Sequence, residues 1–477
     1  MGFAAGLRTT NSRPLFFIAM VAVALFFGLL AAVLPWWIVV AFLLLPMLIG
    51  VAILFPEYGL IILILMISGL VPEGLMPSIN VGPGKILGTD LAIFGLAVVA
   101  LVKASSLSGY LDARWLYLRP VLLFMLLTIS GIIIGNKFYG SPIKDVFTEA
   151  RSQVHWLIAF IVIYLTTDRI RLNRVIWGLV FVGIAVASAV VVQFLTGITI
   201  IQNARVEDLV SGATHYQDIT RSTAGGAIYL ILLPMFYLLA RVLTGSINLV
   251  FPVFLLPVLA AGVLVSFGRA IWITAAIGSL GLAFLLKGSK GLAQISVILV
   301  VGVGAALVGL SIAKPQVIEA AYERVVSTAG EGAKNSSLGW RFEEAGFAIN
   351  KISSSPVVGI GFGTAYKPRL DPMADWSQVR YIHNSYLGLW MKLGIFGLFA
   401  AIWAIYIVFI KSYVLYRNTN EPEYRALAAT LLVSFSVPVL TSFTQPEWLV
   451  STGISFFAIV IGLLVSVDKH VSKKAAR

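Results

Sequence analysis

The reading of this chain turns on one stretch, His383-Asn384-Ser385-Tyr386-Leu387-Gly388-Leu389-Trp390-Met391-Lys392-Leu393-Gly394-Ile395-Phe396-Gly397. A long polar segment ends there and a long apolar run begins, so His383 sits where water meets membrane, at the N-terminal end of an expected spanning helix. The unsatisfied N–H groups of such an end carry partial positive charge, which disfavours a protonated imidazole. A neutral imidazole accepts a proton, and the position therefore suits a general base. A histidine that does no more than cap an interfacial helix fits the spacing at least as well.

The rest of the chain supplies the membrane. Of 477 residues 59% are hydrophobic and 12% charged, with a mean hydropathy of +0.96. That is far too apolar for a soluble domain. Apolar runs fall at roughly 15–34, 37–55, 58–72, 90–103, 117–135, 153–167, 174–196, 224–241, 247–266, 270–286, 292–313, 385–410, 425–443 and 448–467, about fourteen spans, the third, fourth and sixth of them short. The expected fold is all-α, a polytopic integral membrane protein of about 14 transmembrane helices. Its net charge of +13 is what positive cytoplasmic loops and anionic lipid call for, rather than nucleic acid. Arg8, Arg13, Lys103, Arg114, Arg119, Arg169, Arg171, Arg174, Arg241, Lys287, Lys290, Lys411, Arg417 and Arg425 cluster on one side with the basic tail. This bias puts both termini in the cytoplasm and His383 on the outer face. The absence of cysteine excludes disulfides, thiolate chemistry and cysteine metal sites.

The divisions follow: 1–196, N-terminal transmembrane helices; 197–223, a first periplasmic loop; 224–313, central transmembrane helices; 314–383, a large periplasmic loop; 384–477, C-terminal helices and a cytoplasmic tail. The large loop has structure of its own. Val317, Ile318, Ala321, Tyr322 and Val325 recur at helical spacing, as do Trp340, Ala345, Phe347, Ala348 and Ile352, which predicts two amphipathic helices on the membrane or on the bundle. Ser353-Ser-Ser-Pro356 ends the second, and Gly359-Ile-Gly361-Phe-Gly363 makes a flexible or tightly turned stretch before His383.

The stretch that opens this section matches the H-N-x9-G-x-x-G pattern of the O-antigen ligase/polymerase (WaaL/Wzy-like) superfamily of bacterial membrane glycosyltransferases, with His383, Asn384, Gly394 and Gly397 in its fixed positions. The large loop resembles that family's in Arg341 and in Pro356-Val-Val-Gly359-Ile-Gly361. Family members keep an arginine before the span after the first outer loop, where Arg221 stands. They keep another in a Ser-x-Ser-Arg-Gly-like turn, which Ser266-Phe267-Gly268-Arg269-Ala270 resembles with Gly268 and Ala270 in place of Ser and Gly. The resemblance runs from roughly residue 200 to 400. It implies a GT-C-like enzyme that moves a glycan from undecaprenyl diphosphate to a sugar hydroxyl, with lipid A–core as acceptor, at the periplasmic face of the inner membrane. On this reading His383 is the base, Arg221, Arg269 and Arg341 bind the diphosphate, and Asn384 orients His383 or caps its helix. The alternative is a polysaccharide polymerase with the same donor.

Read from spacing alone, an arginine at a span end contacts lipid headgroups or snorkels. As a group, convergent guanidinium forks suit a diphosphate and can neutralise it without metal. No cofactor or metal is expected: His155, His215 and His470 have no ligand-spaced partner, and there is no Asp-x-Asp or Walker loop. Glu343, Glu344, Asp371 and Asp375 could hold a cation, but solvated loop carboxylates are the commoner case. The competing class is a transporter of lipid-linked sugar, which predicts mid-membrane charges and symmetric halves. The charges here lie at the outer rim and no repeat is visible.

Overall fold

In lipid every backbone N–H and C=O must be satisfied within the protein, and a helix does this segment by segment. The computed structural model describes residues 54–81, 84–105, 115–202, 204, 206–211, 214–326, 337–368 and 379–475. Each apolar run expected from residue 58 onward is a helix there. The runs at 15–34 and 37–55 fall outside the described residues but for Leu54 and Phe55. Contacts divide the chain into two units, Met1–Gly59 and Leu60–Arg477.

The helices are α1 (Pro56–Ile67), α2 (Gly88–Ser105), α3 (Trp115–Ile133), α4 (Ile143–Ala150), α5 (Leu157–Leu165), α6 (Arg169–Thr196), α7 (Ile228–Leu243), α8 (Val250–Leu264) and α9 (Arg269–Ala313). They continue as α10 (Val317–Val326), α11 (Ser337–Ser354), α12 (Ser385–Asn418), α13 (Pro422–Thr441) and α14 (Ser451–Ala475). Among the described residues, eight helices are long and apolar enough to cross a membrane, α4 and α5 counting together as Ile143–Leu165. One of them, α9, has 45 residues, about 68 Å of helix if straight, against a hydrocarbon core of about 30 Å. It breaks at Gly288 (φ 60°, ψ −140°), a backbone state that glycine adopts without a Cβ penalty. The chain turns back so sharply there that a Cβ on Gly291 would collide with the Ala283 carbonyl. The two expected runs 270–286 and 292–313 are thus the arms of one helical hairpin.

The fold departs from all-α in its loops. Two antiparallel hairpins occur, β1 (Ile79–Val81) with β2 (Gly84–Ile86), and β3 (Val206–Ser211) with β4 (Thr214–Ser222). The second lies within what the sequence offered only as a polar loop. Its register slips between Asp208 and Leu209, and Leu209, Tyr216 and Ile219 are buried. Gln193 ties the hairpin to the end of α6, donating to the Ser222 hydroxyl at 2.9 Å and accepting from Ile200 N at 2.8 Å. Apolar residues too few and too irregularly spaced to show an alternation pattern still find a core when a helix end supplies one.

Hydrogen bonds draw the ends of several helices together. Ser222 N donates to Val265 O at 3.1 Å, linking β4 to the end of α8. Tyr229 Oη, at the start of α7, lies 2.7 Å from Thr441 Oγ1 at the end of α13 and donates to Glu447 Oε1 at 2.7 Å. Ser385 Oγ, at the start of α12, donates to Gln445 O at 2.7 Å and accepts from Trp448 N at 3.3 Å. The link 442–450 therefore touches the helix that follows Arg221 and the helix that follows His383. Trp448 anchors it in an aromatic stack, 4.1 Å from Phe457 and 5.6 Å from Phe124, ring centre to ring centre.

Candidate active site

The start of α12 is built by its own sequence. Asn384 is the N-cap, its side-chain oxygen accepting from Leu387 N at 3.0 Å, so of its two expected roles capping is the one observed. Ten residues after Asn384, Gly394 (φ 68°, ψ −170°) breaks the helix. The glycine-rich segment from Pro356 enters the break. Ile360 N donates to Met391 O at 2.8 Å, Gly361 N to Lys392 O at 3.0 Å, and Ile395 N to Pro356 O at 3.1 Å. The far side of the segment meets α3, with Phe362 N donating to Gly131 O at 3.0 Å. A Cβ at Gly394 would collide with the Val357 carbonyl, and one at Gly361 with the backbone of Gly135. The glycine pattern is tightly turned, and it serves as a backbone wedge between two helices. Below it Lys392, fully buried, donates to Glu149 Oε2 at 3.0 Å and to Thr364 O at 2.8 Å.

This wedge leads the chain to His383. The imidazole Nδ1 lies 2.7 Å from Glu344 Oε2, and the backbone N–H of His383 donates to the same oxygen at 3.2 Å. Glu344 was read as a solvated loop carboxylate. The structure corrects that: its side chain is 1% exposed, and its other oxygen accepts from Lys367 Nζ. Burial alone pushes the Glu344 carboxyl up, but the hydrogen bonds from His383 and Lys367 outweigh it and hold the group down at about 2. With an ionised acceptor at Nδ1, the neutral imidazole keeps its proton there and turns its Nε2 lone pair outward. The His383 side chain is 30% exposed. Tyr381 stands edge-on to the ring at 4.9 Å, and Tyr366, buried, donates its hydroxyl to Tyr381 O at 2.7 Å. Lys367 Nζ is 5.0 Å from the centre of the Trp340 ring. Lys367 and Tyr366 escaped the sequence reading. Glu344 was noticed for the wrong reason, since its partner is 39 residues away.

Arg221 and Arg269 meet elsewhere at the same end of the bundle. Arg221 is on β4, where its Nη1 lies 3.4 Å from Glu207 Oε1 and its Nε donates to Ser266 O at 3.3 Å. Arg269 is the first residue of α9 and donates from Nε to Arg324 O at 2.9 Å. Both thus hold the turn between α8 and α9. Arg341 lies on α11, three residues before Glu344. Asp371 and Asp375 lie outside the described residues, as does the His215 side chain. His155 Nδ1 lies 2.7 Å from Ser455 Oγ, and His470 Nε2 lies 3.4 Å from Thr166 O.

Long apolar helices carrying a polar cluster at one end make this a multi-pass membrane protein. Residues 252–402, which include Arg269, Arg341, Glu344, His383 and Gly394, match the family model described as O-Antigen ligase. No curated protein matches the chain. A chain from a solved structure described as "Structural coordination of polymerization and crosslinking by a peptidoglycan synthase complex" is similar with a TM-score of 0.42 and 15% identity, over 74% of this chain and 97% of that chain.

Proposed function

We propose that the protein transfers a glycan from undecaprenyl diphosphate to a sugar hydroxyl of lipid A–core at the periplasmic face of the inner membrane, with inversion and without metal. His383 Nε2 takes the proton of the acceptor hydroxyl as that oxygen attacks the anomeric carbon. The lipid diphosphate leaves from the opposite face, and one direct displacement inverts the centre. Arg221 and Arg269 hold the leaving diphosphate, where preorganised positive charge favours the transition state over the intact donor. Arg341, on the helix of Glu344, serves the acceptor side.

One observation carries this reading: a half-exposed imidazole is held through Nδ1 by a buried carboxylate, the arrangement a general base needs for a fixed tautomer. The test is glycan transfer by purified protein. His383→Ala should lower it by about 10²–10⁴-fold. Wild-type-like transfer in a correctly inserted variant would remove His383 from the chemistry. Arg269→Lys should also weaken transfer, because an ammonium cannot reproduce the guanidinium fork. A polymerase would use the same donor and base, and disrupting the gene separates the two. A ligase leaves lipid A–core without long chains, whereas a polymerase leaves lipid-linked single repeats that never lengthen.

A further inference from the structure

Three arginines from three elements converge on the Ser266-Phe267-Gly268 turn. Arg221 and Arg269 have been described. The third is Arg324, in the last turn of α10, whose Nε donates to Phe267 O at 3.1 Å while its own carbonyl accepts from Arg269 Nε. Arg324 is thus bonded at its Nε to the turn that precedes Arg269 and at its carbonyl to Arg269 itself. Lys314, just before α10, adds a fourth cation nearby: its Nζ is 5.3 Å from the centre of the Phe194 ring, and that ring is 6.3 Å from Phe267.

An arginine in a last turn ordinarily answers the carbonyls of its own helix. Arg324 instead reaches the carbonyl of the turn that positions Arg269. Glu207 balances Arg221 in part, and Glu319 and Glu323 lie on α10. Guanidinium groups gathered at one turn suit a multivalent anion, whose several oxygens can accept from all of them at once. A diphosphate offers more acceptor oxygens than two forks can cover.

We infer that Arg324 is a third guanidinium of the donor site, binding the diphosphate of a polyprenyl-linked sugar beside Arg221 and Arg269. The inference rests on the donor class proposed above. A phospholipid headgroup shares the anionic chemistry, so the experiment must separate the two. The full-length protein in nanodiscs is titrated with undecaprenyl diphosphate, undecaprenyl monophosphate and phosphatidylglycerol, and each variant's unfolding midpoint is recorded. Arg324→Gln should weaken diphosphate binding about tenfold or more, with monophosphate binding changed several-fold less, and Arg269→Gln should weaken diphosphate binding at least as much.

If Arg324→Gln binds the diphosphate like wild type while Arg269→Gln loses it, Arg324 leaves the site and the donor reading stands. Equal weakening of diphosphate and monophosphate also overturns the assignment, since a displaced turn would act on both. If wild-type protein prefers phosphatidylglycerol or ignores the diphosphate, the donor reading and this inference fall together. Should Arg324→Gln lower the unfolding midpoint, Arg324→Lys decides: weakened diphosphate binding at a wild-type midpoint supports the role, and unchanged binding refutes it.

Discussion

Glu344 and His383 illustrate how a site residue hides in a sequence. Beside Glu343 in a polar loop, Glu344 looks like any other surface acid, yet it is buried against an imidazole 39 positions on. The carboxylate fixes the tautomer, so Glu344→Gln should cut transfer by about 10²-fold or more while the donor still binds. Unchanged kcat in that variant would show that His383 keeps its tautomer unaided. The pH sense follows from the depressed carboxyl. Its bonds stabilise the fold above the ordinary value of 4.5 and are lost as pH falls towards about 2. Glu447 has the opposite sense. Burial pushes its carboxyl up to about 7 against the hydrogen bond from Tyr229, and its Oε2 has no hydrogen-bond partner among the described residues. The folded protein holds that proton more tightly than the unfolded chain does. Its contribution to stability is therefore full below 4.5 and declines as pH rises to about 7. Glu447→Gln should raise the free energy of unfolding at pH 8 by about 1–3 kcal/mol and leave it unchanged at pH 4.5. An equal shift at both values would assign the effect to something other than ionisation.

Among elements, α12 shows what the H-N-x9-G spacing does physically. Asn384 starts the helix, and Gly394 interrupts it where the Pro356–Gly363 segment can bond to the exposed carbonyls. The motif's residues were legible in the sequence. The wedge was not, because its partners sit in α3 and α12 and no local periodicity records them. Gly394→Ala should abolish the docking of Val357 and lower the unfolding midpoint, since the helix would need both a left-handed alanine and room for its Cβ. Retained stability in that variant would mean that the break is not required. The Lys392–Glu149 pair under the wedge makes a second prediction. Lys392→Met should destabilise by about 3 kcal/mol, because it strands a partly buried carboxylate, and adding Glu149→Gln should recover part of that loss. Strict additivity of the two changes would show that the pair does not interact.

Across the unit Leu60–Arg477, the apolar helices were plain in the sequence because hydropathy is a local property. The apolar runs from residue 58 to 467 all reappear as helices, with 270–286 and 292–313 joined at Gly288. The β3–β4 hairpin and the fastening of helix ends by 442–450 were not legible, since both depend on contacts between distant segments. The lack of cysteine makes sidedness easy to measure. A cysteine replacing exposed Phe443 should react with a membrane-impermeant maleimide in intact spheroplasts, and one replacing exposed Lys290 only after permeabilisation. The reverse pattern would invert the assigned orientation. The wedge bears finally on biogenesis. Its slot lies between α3 and α12, yet the wedge is made after one wall and before the other, so it must wait undocked until the later helix emerges from the insertion machinery. A chain can therefore cross the bilayer with every span correctly oriented and still be immature, its candidate base His383 hanging on an undocked tether.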